Sequence, residues 1–196
     1  MLSGSLSGIP AEKQKLRQEI RSRLRDLSPT EKARLDAALL ASVTAHPWYR
    51  EADTLLCYCS LPSEPDTRRL IGEAWKCGKS VALPVCGKPG EMRFYLVSSW
   101  EETAAGAFGI TEPSGREVPV LSGRTLCLVP ALAFTRDGRR LGKGGGYYDR
   151  FLAAHPELRT IGLTYAFLLQ EDIPCEAHDI GVMEVIDNTG GNHGKS

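Results

Sequence analysis

The chain has 196 residues, 42% of them hydrophobic, which suits a single domain with a full-sized core. Its 24 lysines and arginines balance its 24 aspartates and glutamates, so no global field attracts nucleic acid or an acidic membrane, and any anion binding must be local. No stretch approaches the roughly 18 consecutive apolar residues of a membrane helix. Residues 1–9 have no basic region ahead of an apolar run, so we do not expect them to form a secretory signal.

Two helices are predicted near the N-terminus. The first covers residues 11–27, where leucine and isoleucine side chains recur on one stripe at helical spacing. The second begins after Ser28, a natural N-cap, with Pro29 at the first helical position and Glu31 completing a capping box. It should end near His46, because the next residue is proline.

Strands and helices then alternate along the chain. A strand at residues 54–59 leads into the loop 61–66, and Asp66 at the end of that loop can cap a helix over residues 67–77, which Gly78 closes. The remaining predicted elements are strands at residues 80–85, 92–97, 125–130, 160–165 and 182–186 and a helix at residues 147–154.

This alternation predicts an α/β fold, with an open, mostly parallel sheet flanked by helices. We expect a flexible N-terminus of residues 1–10, one domain over residues 11–188 and a disordered tail at residues 189–196. Ligands of such folds bind beyond the carboxyl ends of the strands, which here are followed by the loops after Cys59 and Val129.

The six cysteines contain no C-x-x-C pair and no histidine at a metal-like spacing. They occupy positions 57, 59, 77, 86, 127 and 175. We therefore expect buried, reduced thiols in a cytoplasmic protein, rather than a disulfide framework or a zinc site.

The most informative segment is Gly-Arg-Arg-Leu-Gly-Lys-Gly-Gly-Gly-Tyr-Tyr-Asp-Arg at residues 138–150. Five glycines and three cations lie within residues 138–146, directly before a predicted helix. Exposed amides, a helix N-terminus and flanking cations together form an anion site, above all for phosphate. The alternative is a flexible hinge with solvated charges.

Two familiar phosphate motifs do not match this segment. A P-loop needs four residues between its first glycine and Gly-Lys, but only three separate Gly138 from Gly142, and Gly144 rather than Ser or Thr follows Lys143. A dinucleotide fingerprint needs glycine where Tyr147 stands, close behind a strand.

The whole run resembles the signature of the 5-formyltetrahydrofolate cyclo-ligase family. The matching residues are Pro130, Phe134, Asp137-Gly138 and Arg140-Leu141-Gly142-x-Gly144-Gly145-Gly146-Tyr147-Tyr148-Asp149-Arg150. Lys13-x-x-Leu16-Arg17, Leu61-Pro62-Ser63-Glu64-Pro65-Asp66-Thr67 and Pro174-x-Glu176-x-His178-Asp179 resemble the family's nucleotide-contacting element, folate-side loop and C-terminal segment. The resemblance implies ATP-dependent conversion of 5-formyltetrahydrofolate to 5,10-methenyltetrahydrofolate, on an open α/β sheet.

The resemblance also implies a role for each matching residue. Arg140 and Lys143 would stabilise charge on the phosphoryl group that is transferred from ATP. The implied nucleotide contacts are Lys13, Arg17, Arg140, Leu141, Gly142, Lys143, Gly144, Gly145, Gly146, Tyr147 and Tyr148. The implied folate contacts are Tyr58, Leu61, Glu64, Lys143, Gly144, Gly145, Gly146 and Tyr147. Asp149 and Asp179 would bind Mg²⁺. Small molecules are the only expected partners, without nucleic acid, a membrane or an obligate protein partner.

Several of these residues have plainer alternatives. Lys13 and Arg17, four apart on one helical face, can form a solvated surface. Asp149 can simply stabilise the first turn of a helix through the macrodipole, and Asp179 can be an exposed loop acid. Adjacent tyrosines diverge by about 100° around a helix, so one of Tyr147 and Tyr148 can pack into the core.

The sequence departs from the family pattern at two positions. Gly145 stands where animal members often carry lysine, and Met183 stands where the family frequently has aspartate. The competing functions are another ATP-dependent phosphoryl-transfer enzyme, such as a small-molecule kinase, and a sensor that binds nucleotide or folate without turnover.

Overall fold

The computed structural model describes residues 8–88, 90–106 and 111–194. Its helices are α1 (Ile9–Arg25), α2 (Pro29–Ala45), α3 (Pro47–Glu51), α4 (Arg68–Lys76) and α5 (Tyr147–Ala154). Its strands are β1 (Thr54–Leu56), β2 (Ser80–Cys86), β3 (Met92–Val97), β4 (Thr103–Ala105), β5 (Thr111–Pro113), β6 (Thr125–Val129), β7 (Ala133–Phe134), β8 (Arg140–Leu141), β9 (Arg159–Thr164), β10 (Glu184–Asp187) and β11 (Asn192–Gly194).

Among the residues that the structure describes, seven strands form the central sheet, in the order β11-β10-β9-β6-β1-β2-β3. The strands from β10 to β2 pair in parallel, and antiparallel pairs close both edges. The parallel centre follows from its composition, because strands covered on both faces are continuously apolar: every residue of β6 is buried. The predicted α/β fold is confirmed.

The order of the strands creates a crevice at the centre of the sheet. The chain passes from β1 to β2 on one side and later places β6 on the other side of β1. Connections that leave neighbouring strands in opposite directions leave a gap beyond their carboxyl ends. The loops after Cys59 and Val129 lie at this gap, as the sequence predicts.

Local capping explains where the helices begin. The Ser28 hydroxyl accepts a hydrogen bond from the Glu31 amide at 3.2 Å, as a capping box requires. The Glu31 carboxylate pairs with Arg34 instead, so only half of the predicted box forms. At α4, Asp66 Oδ1 accepts from the Arg68 amide at 2.9 Å, and Gly78 follows the helix with φ +72°.

The chain ends more regularly than the sequence predicts. Residues 192–194 form strand β11 against β10, so the prediction of disorder from residue 189 is wrong there. The Asp187 carboxylate accepts hydrogen bonds from the amide and the hydroxyl of Thr189, which holds the turn that brings β11 back to the sheet. The prediction for residues 1–10 is likewise wrong at its end, because α1 begins at Ile9. Residues 1–7 and 195–196 lie outside the described residues.

The sequence patterns did not predict the short helix α3 or two short hairpins of the structure. Helix α3 begins at Pro47, where the sequence predicts only the end of a helix, because the His46 imidazole caps it by accepting from the Trp48 amide. The β4–β5 and β7–β8 hairpins were missed because strands of two or three residues carry no periodic pattern.

The cysteines divide into buried and accessible thiols. All six are free; Cys57, Cys59 and Cys127 are buried, as predicted. Burial is the wrong prediction for Cys77 and Cys175, which are exposed because they lie outside the sheet, at the end of α4 and in the loop before β10. Within the described ranges, no helix combines the length and apolarity needed to cross a membrane.

Candidate active site

Both ends of the glycine segment have backbone conformations that favour glycine. Gly138 has φ +88° and its carbonyl accepts from the Val182 amide at 2.8 Å, so a side chain there would collide with the Val182 carbonyl. Gly146, with φ +65°, is the N-cap of α5. Gly144 between them has φ +106°. The chain can therefore turn sharply from β8 into α5 and leave its amides at the crevice.

A cavity of about 650 Å³ occupies the crevice. Its wall contains every residue that the sequence proposes for the site, although their individual roles stay predictions. These are Lys13, Arg17, Tyr58, Leu61, Glu64, Arg140, Leu141, Gly142, Lys143, Gly144, Gly145, Gly146, Tyr147, Tyr148, Asp149 and Asp179.

Helix α1 supplies two cations to this cavity. Lys13 is buried, and its Nζ lies 2.8 Å from Glu176 Oε2 and 2.5 Å from Asp179 Oδ2. Burial opposes the charge, but the hydrogen bonds to Asp179 and Glu176 outweigh it and raise the pKa of Lys13 above 10.5. Arg17 Nε donates to the Gly142 carbonyl at 2.9 Å. A solvated surface is therefore the wrong interpretation of Lys13.

Arg140 joins the glycine segment to the C-terminal loop. Its buried guanidinium donates through Nε to the Ile180 carbonyl at 2.8 Å and through a terminal nitrogen to Asp149 Oδ1 at 2.5 Å. Asp149 Oδ1 also accepts from the Ile180 amide at 3.0 Å. Asp149 thus does more than stabilise the first turn of α5, because it binds two chain segments together.

A further ion pair crosses the cavity, between Lys143 and Glu64. Lys143 Nζ lies 2.6 Å from Glu64 Oε1, while Glu64 Oε2 accepts from the Leu61 amide at 2.8 Å. Glu64 Oε1 is buried, and the Lys143 ammonium is the charged group that faces it. The pair connects a residue predicted for phosphate with one predicted for folate.

The described acidic residues include one cluster with the spacing of a metal site. Glu176, His178 and Asp179 each offer a ligand atom, all within 4.8 Å of one another, and Asp149 is not part of this group. Lys13 already contacts two of these carboxylates. The pairing of Asp149 with Asp179 around one cation therefore stays a prediction.

The two tyrosines occupy different positions. The Tyr147 ring lies so close to Gly145 that a Cβ added there would meet it at 2.8 Å, so a side chain at Gly145 would displace the ring. Tyr148 packs edge-on against Phe94, with ring centroids 6.4 Å apart. Its hydroxyl is buried and has no hydrogen-bond partner among the described residues.

Residues 9–188 match the sequence model of the 5-formyltetrahydrofolate cyclo-ligase family. The chain belongs to this family. It is 32% identical to 5-formyltetrahydrofolate cyclo-ligase of Mus musculus over 91% of this chain and 94% of that protein. It is also 32% identical to 5-formyltetrahydrofolate cyclo-ligase of Escherichia coli K12, over 85% of this chain and 95% of that protein.

A solved structure agrees with both fold and family. The 5,10-methenyltetrahydrofolate synthetase of Aquifex aeolicus, determined by NMR, superposes with a TM-score of 0.79 at 30% identity, covering 93% of this chain and 92% of that chain. The predictions of a cyclo-ligase family member and of an enzyme of the ligase class are confirmed.

Sequence reasoning missed part of the wall of this cyclo-ligase cavity. Pro84, Cys86 and Met92 form an apolar side at the end of β2 and the start of β3, where the rule on carboxyl ends of strands applies to β2 as well as to β1 and β6. The other missed lining residues are Pro10, Cys59, Glu112, Pro130, Glu176 and His178, of which Pro130, Glu176 and His178 lie in motifs that carry the resemblance.

Proposed function

We propose that this chain converts 5-formyltetrahydrofolate to 5,10-methenyltetrahydrofolate and couples the conversion to cleavage of ATP to ADP and phosphate. The observation that carries the proposal is the single cavity that joins the cation-lined glycine segment to the Glu64 side. Both substrates must meet in one site, because the γ-phosphoryl group passes directly from one to the other.

The reaction needs ATP because an N-formyl oxygen is a poor leaving group. The formyl oxygen attacks the γ-phosphorus, and ADP leaves. Nitrogen 10 then attacks the formyl carbon and loses its proton, while the phosphorylated oxygen leaves as inorganic phosphate. The product is the methenyl bridge between nitrogens 5 and 10. Such a transfer asks the protein chiefly for positioning and for neutralisation of charge.

The glycine segment is suited to both tasks. Three cations of the cavity have carboxylate partners: Lys13, Arg140 and Lys143. Lys143 is the most accessible of them, with 44% of its side chain exposed, so we assign it to the γ-phosphate. Arg140 is rigidly held beside the segment and would stabilise the developing charge without reorganising. The amides of Gly144, Gly145 and Gly146 would donate to phosphate oxygens. On the other side, Lys13 and Arg17 would reach the nucleotide from α1.

The carboxylates of the cavity fit a magnesium ion. Asp149 Oδ2 carries no hydrogen bond among the described residues, so it is available to a cation while Oδ1 stays with Arg140. Magnesium prefers a few carboxylates together with phosphate oxygens and water. We therefore assign Asp149 and Asp179 to Mg²⁺, which when bound would neutralise charge on the β- and γ-phosphates.

The folate side is built around Glu64. Glu64 is buried, with 6% of the residue exposed. Once Lys143 turns to the phosphate, Glu64 Oε1 can accept hydrogen bonds from the amino and ring N–H groups of the pterin. Tyr58 and Leu61 supply apolar wall next to it. Burial, with Glu64 as the next cause, raises the pKa of Tyr58 well above 10.0, which keeps its hydroxyl neutral.

One assay tests the function. Purified protein with magnesium, ATP and 5-formyltetrahydrofolate should form the methenyl chromophore and an equal amount of ADP. ADP without the chromophore would instead indicate a kinase with another acceptor, and saturable binding without ADP would indicate a sensor.

We also propose that the protein acts in the cytoplasm on small molecules alone. The six free thiols support a reducing compartment. Two of them, Cys77 and Cys175, are exposed, where an oxidising environment would leave them open to pairing with other proteins.

A further inference from the structure

The cavity has a basic side and an apolar side. On the basic side, Arg17 donates to Gly142 and also lies beside Gly144, with guanidinium atoms 3.7 Å from where a Cβ would be. The apolar side is formed by β2 and β3 through Pro84, Cys86 and Met92. The basic side is suited to the polyphosphate of a nucleotide because its charge is opposite, and the apolar side is suited to a flat, largely uncharged ring.

Tyr148 lies on the apolar side. Its ring packs edge-on against Phe94 of β3, which is buried. Its hydroxyl is buried and has no hydrogen-bond partner among the described residues. Because nearly all buried polar groups in proteins form hydrogen bonds, this hydroxyl is expected to bond to a group outside the chain. Tyr148 lines the cavity, so a bound molecule can provide that partner.

Tyr148 and Glu64 line the same cavity and offer complementary hydrogen-bonding groups to a bound molecule. A phenolic hydroxyl can donate a hydrogen bond, whereas a carboxylate only accepts.

We propose that the Tyr148 hydroxyl binds the pterin ring of 5-formyltetrahydrofolate and does not contact the nucleotide. This inference rests on the proposed function and revises the assignment of Tyr148 to ATP. The polar edge of a reduced pterin alternates N–H groups with a carbonyl oxygen. Glu64 takes the N–H groups, and the neighbouring carbonyl needs a donor, which Tyr148 supplies.

The test compares two substitutions that each remove one buried, unpartnered hydroxyl. Tyr148→Phe removes the hydroxyl beside the cavity. Tyr49→Phe is the matched control, because Tyr49 is 3% exposed and its hydroxyl also lacks a partner among the described residues, but it belongs to α3 and does not line the active-site cavity. Neither change removes a hydrogen bond of the free protein, so neither should lower the melting temperature.

Binding of each substrate is measured separately by calorimetry, and the kinetic constants are measured with both substrates present. We expect Tyr148→Phe to weaken folate binding, with the Kd and the KM for the folate substrate both raised about three- to tenfold, the loss of one hydrogen bond. The Kd for ATP should stay unchanged. Tyr49→Phe should change none of these constants.

The inference is overturned if Tyr148→Phe binds 5-formyltetrahydrofolate as tightly as the wild type, or if the loss falls on ATP. A lower melting temperature with unchanged folate affinity would mean that the hydroxyl is structural, which also overturns it. Wild-type protein that binds folate but forms no methenyl product refutes the proposed function while the binding comparison still decides the role of Tyr148. Wild-type protein that does not bind folate refutes both.

Discussion

The ion pair between Lys143 and Glu64 predicts that the two substrates strengthen each other's binding. Lys143 must leave Glu64 to reach the γ-phosphate, and Glu64 must accept from the pterin instead of facing Lys143. The Lys143–Glu64 ion pair, at 2.6 Å, must break before either ligand can bind. The ligand that binds first therefore bears the whole cost of breaking the pair. The second ligand then meets a residue that is already free to bind it. Such coupling is reciprocal: folate must tighten ATP by the same factor by which ATP tightens folate.

The surroundings of the pair set the size of the effect. The Glu64 side chain is 7% exposed and that of Lys143 is 44% exposed. A fully exposed pair contributes about 0–1 kcal/mol, whereas a buried charge left without its partner costs about 3–5 kcal/mol. Because solvent screens the lysine side, breaking this pair should cost an energy closer to that of an exposed pair. We therefore expect a coupling free energy between the two substrates of about 1–1.5 kcal/mol, or roughly five- to tenfold in Kd.

Calorimetry with a non-hydrolysable ATP analogue measures this coupling, with and without 5-formyltetrahydrofolate. The wild type should bind the analogue roughly five- to tenfold more tightly when folate is present. In Glu64→Gln no charge holds Lys143 back, so the analogue should bind tightly without folate and gain little when folate is added. Glu112→Gln is the control, since Glu112 lines the same cavity but forms no ion pair among the described residues. An undiminished coupling in Glu64→Gln would refute the reasoning.

Four further predictions follow from the same contacts. Lys143→Ala should lower kcat about 100- to 1,000-fold in a protein that still folds but unfolds at a somewhat lower temperature, because the buried Glu64 loses its partner; wild-type turnover would remove Lys143 from the transferring phosphate. Asp149→Asn should raise the magnesium concentration for half-maximal rate at least about tenfold, and an unchanged requirement would exclude it as a ligand. Gly162→Ala places a methyl group against the Phe134 ring and should lower the free energy of unfolding, measured in urea, by about 1–3 kcal/mol. Gly72→Ala, at an open position of α4, should raise it by about 0.5–1 kcal/mol. Equal effects of the two substitutions would contradict the steric argument. Burial opposes ionisation of Asp187, but hydrogen bonds from Thr189 and His193 outweigh it and lower its pKa below 3.8. The stability that Asp187→Asn removes should therefore be present above the ordinary aspartate pKa and be lost as the pH falls through the lowered pKa; unfolding curves that show the same difference at every pH would disprove this.

The family and the α/β class were predictable because their signals are local. The run from Arg140 to Asp149 places Gly144 and Gly146 at positions with positive φ, the second of them the N-cap of α5, and a left-handed backbone favours glycine whatever the rest of the molecule does. The alternation of apolar strands with helices is equally local, and it yielded the boundaries of β3 and α5 as the structure has them.

The partners of the charged residues were not predictable in the same way. The sequence suggested that Lys13 contacts nucleotide, but it contains no sign that Lys13 meets Glu176 and Asp179, more than 160 residues away along the chain. The same holds for β11, whose residues pair only because β10 leaves an open edge beside them.

The sequence by itself therefore determined the glycine segment and the motif residues that line the site, because backbone conformation and strand position depend on neighbours in the chain. It did not determine the wall formed by Pro84, Cys86 and Met92. Only the tertiary structure decided which charges face each other, and that Tyr148 rather than Tyr147 carries the unpartnered buried hydroxyl. The physical reason is that burial and ion pairing are properties of space: β1, β6, α1 and the C-terminal loop must come together before a desolvated charge or hydroxyl has any neighbour at all.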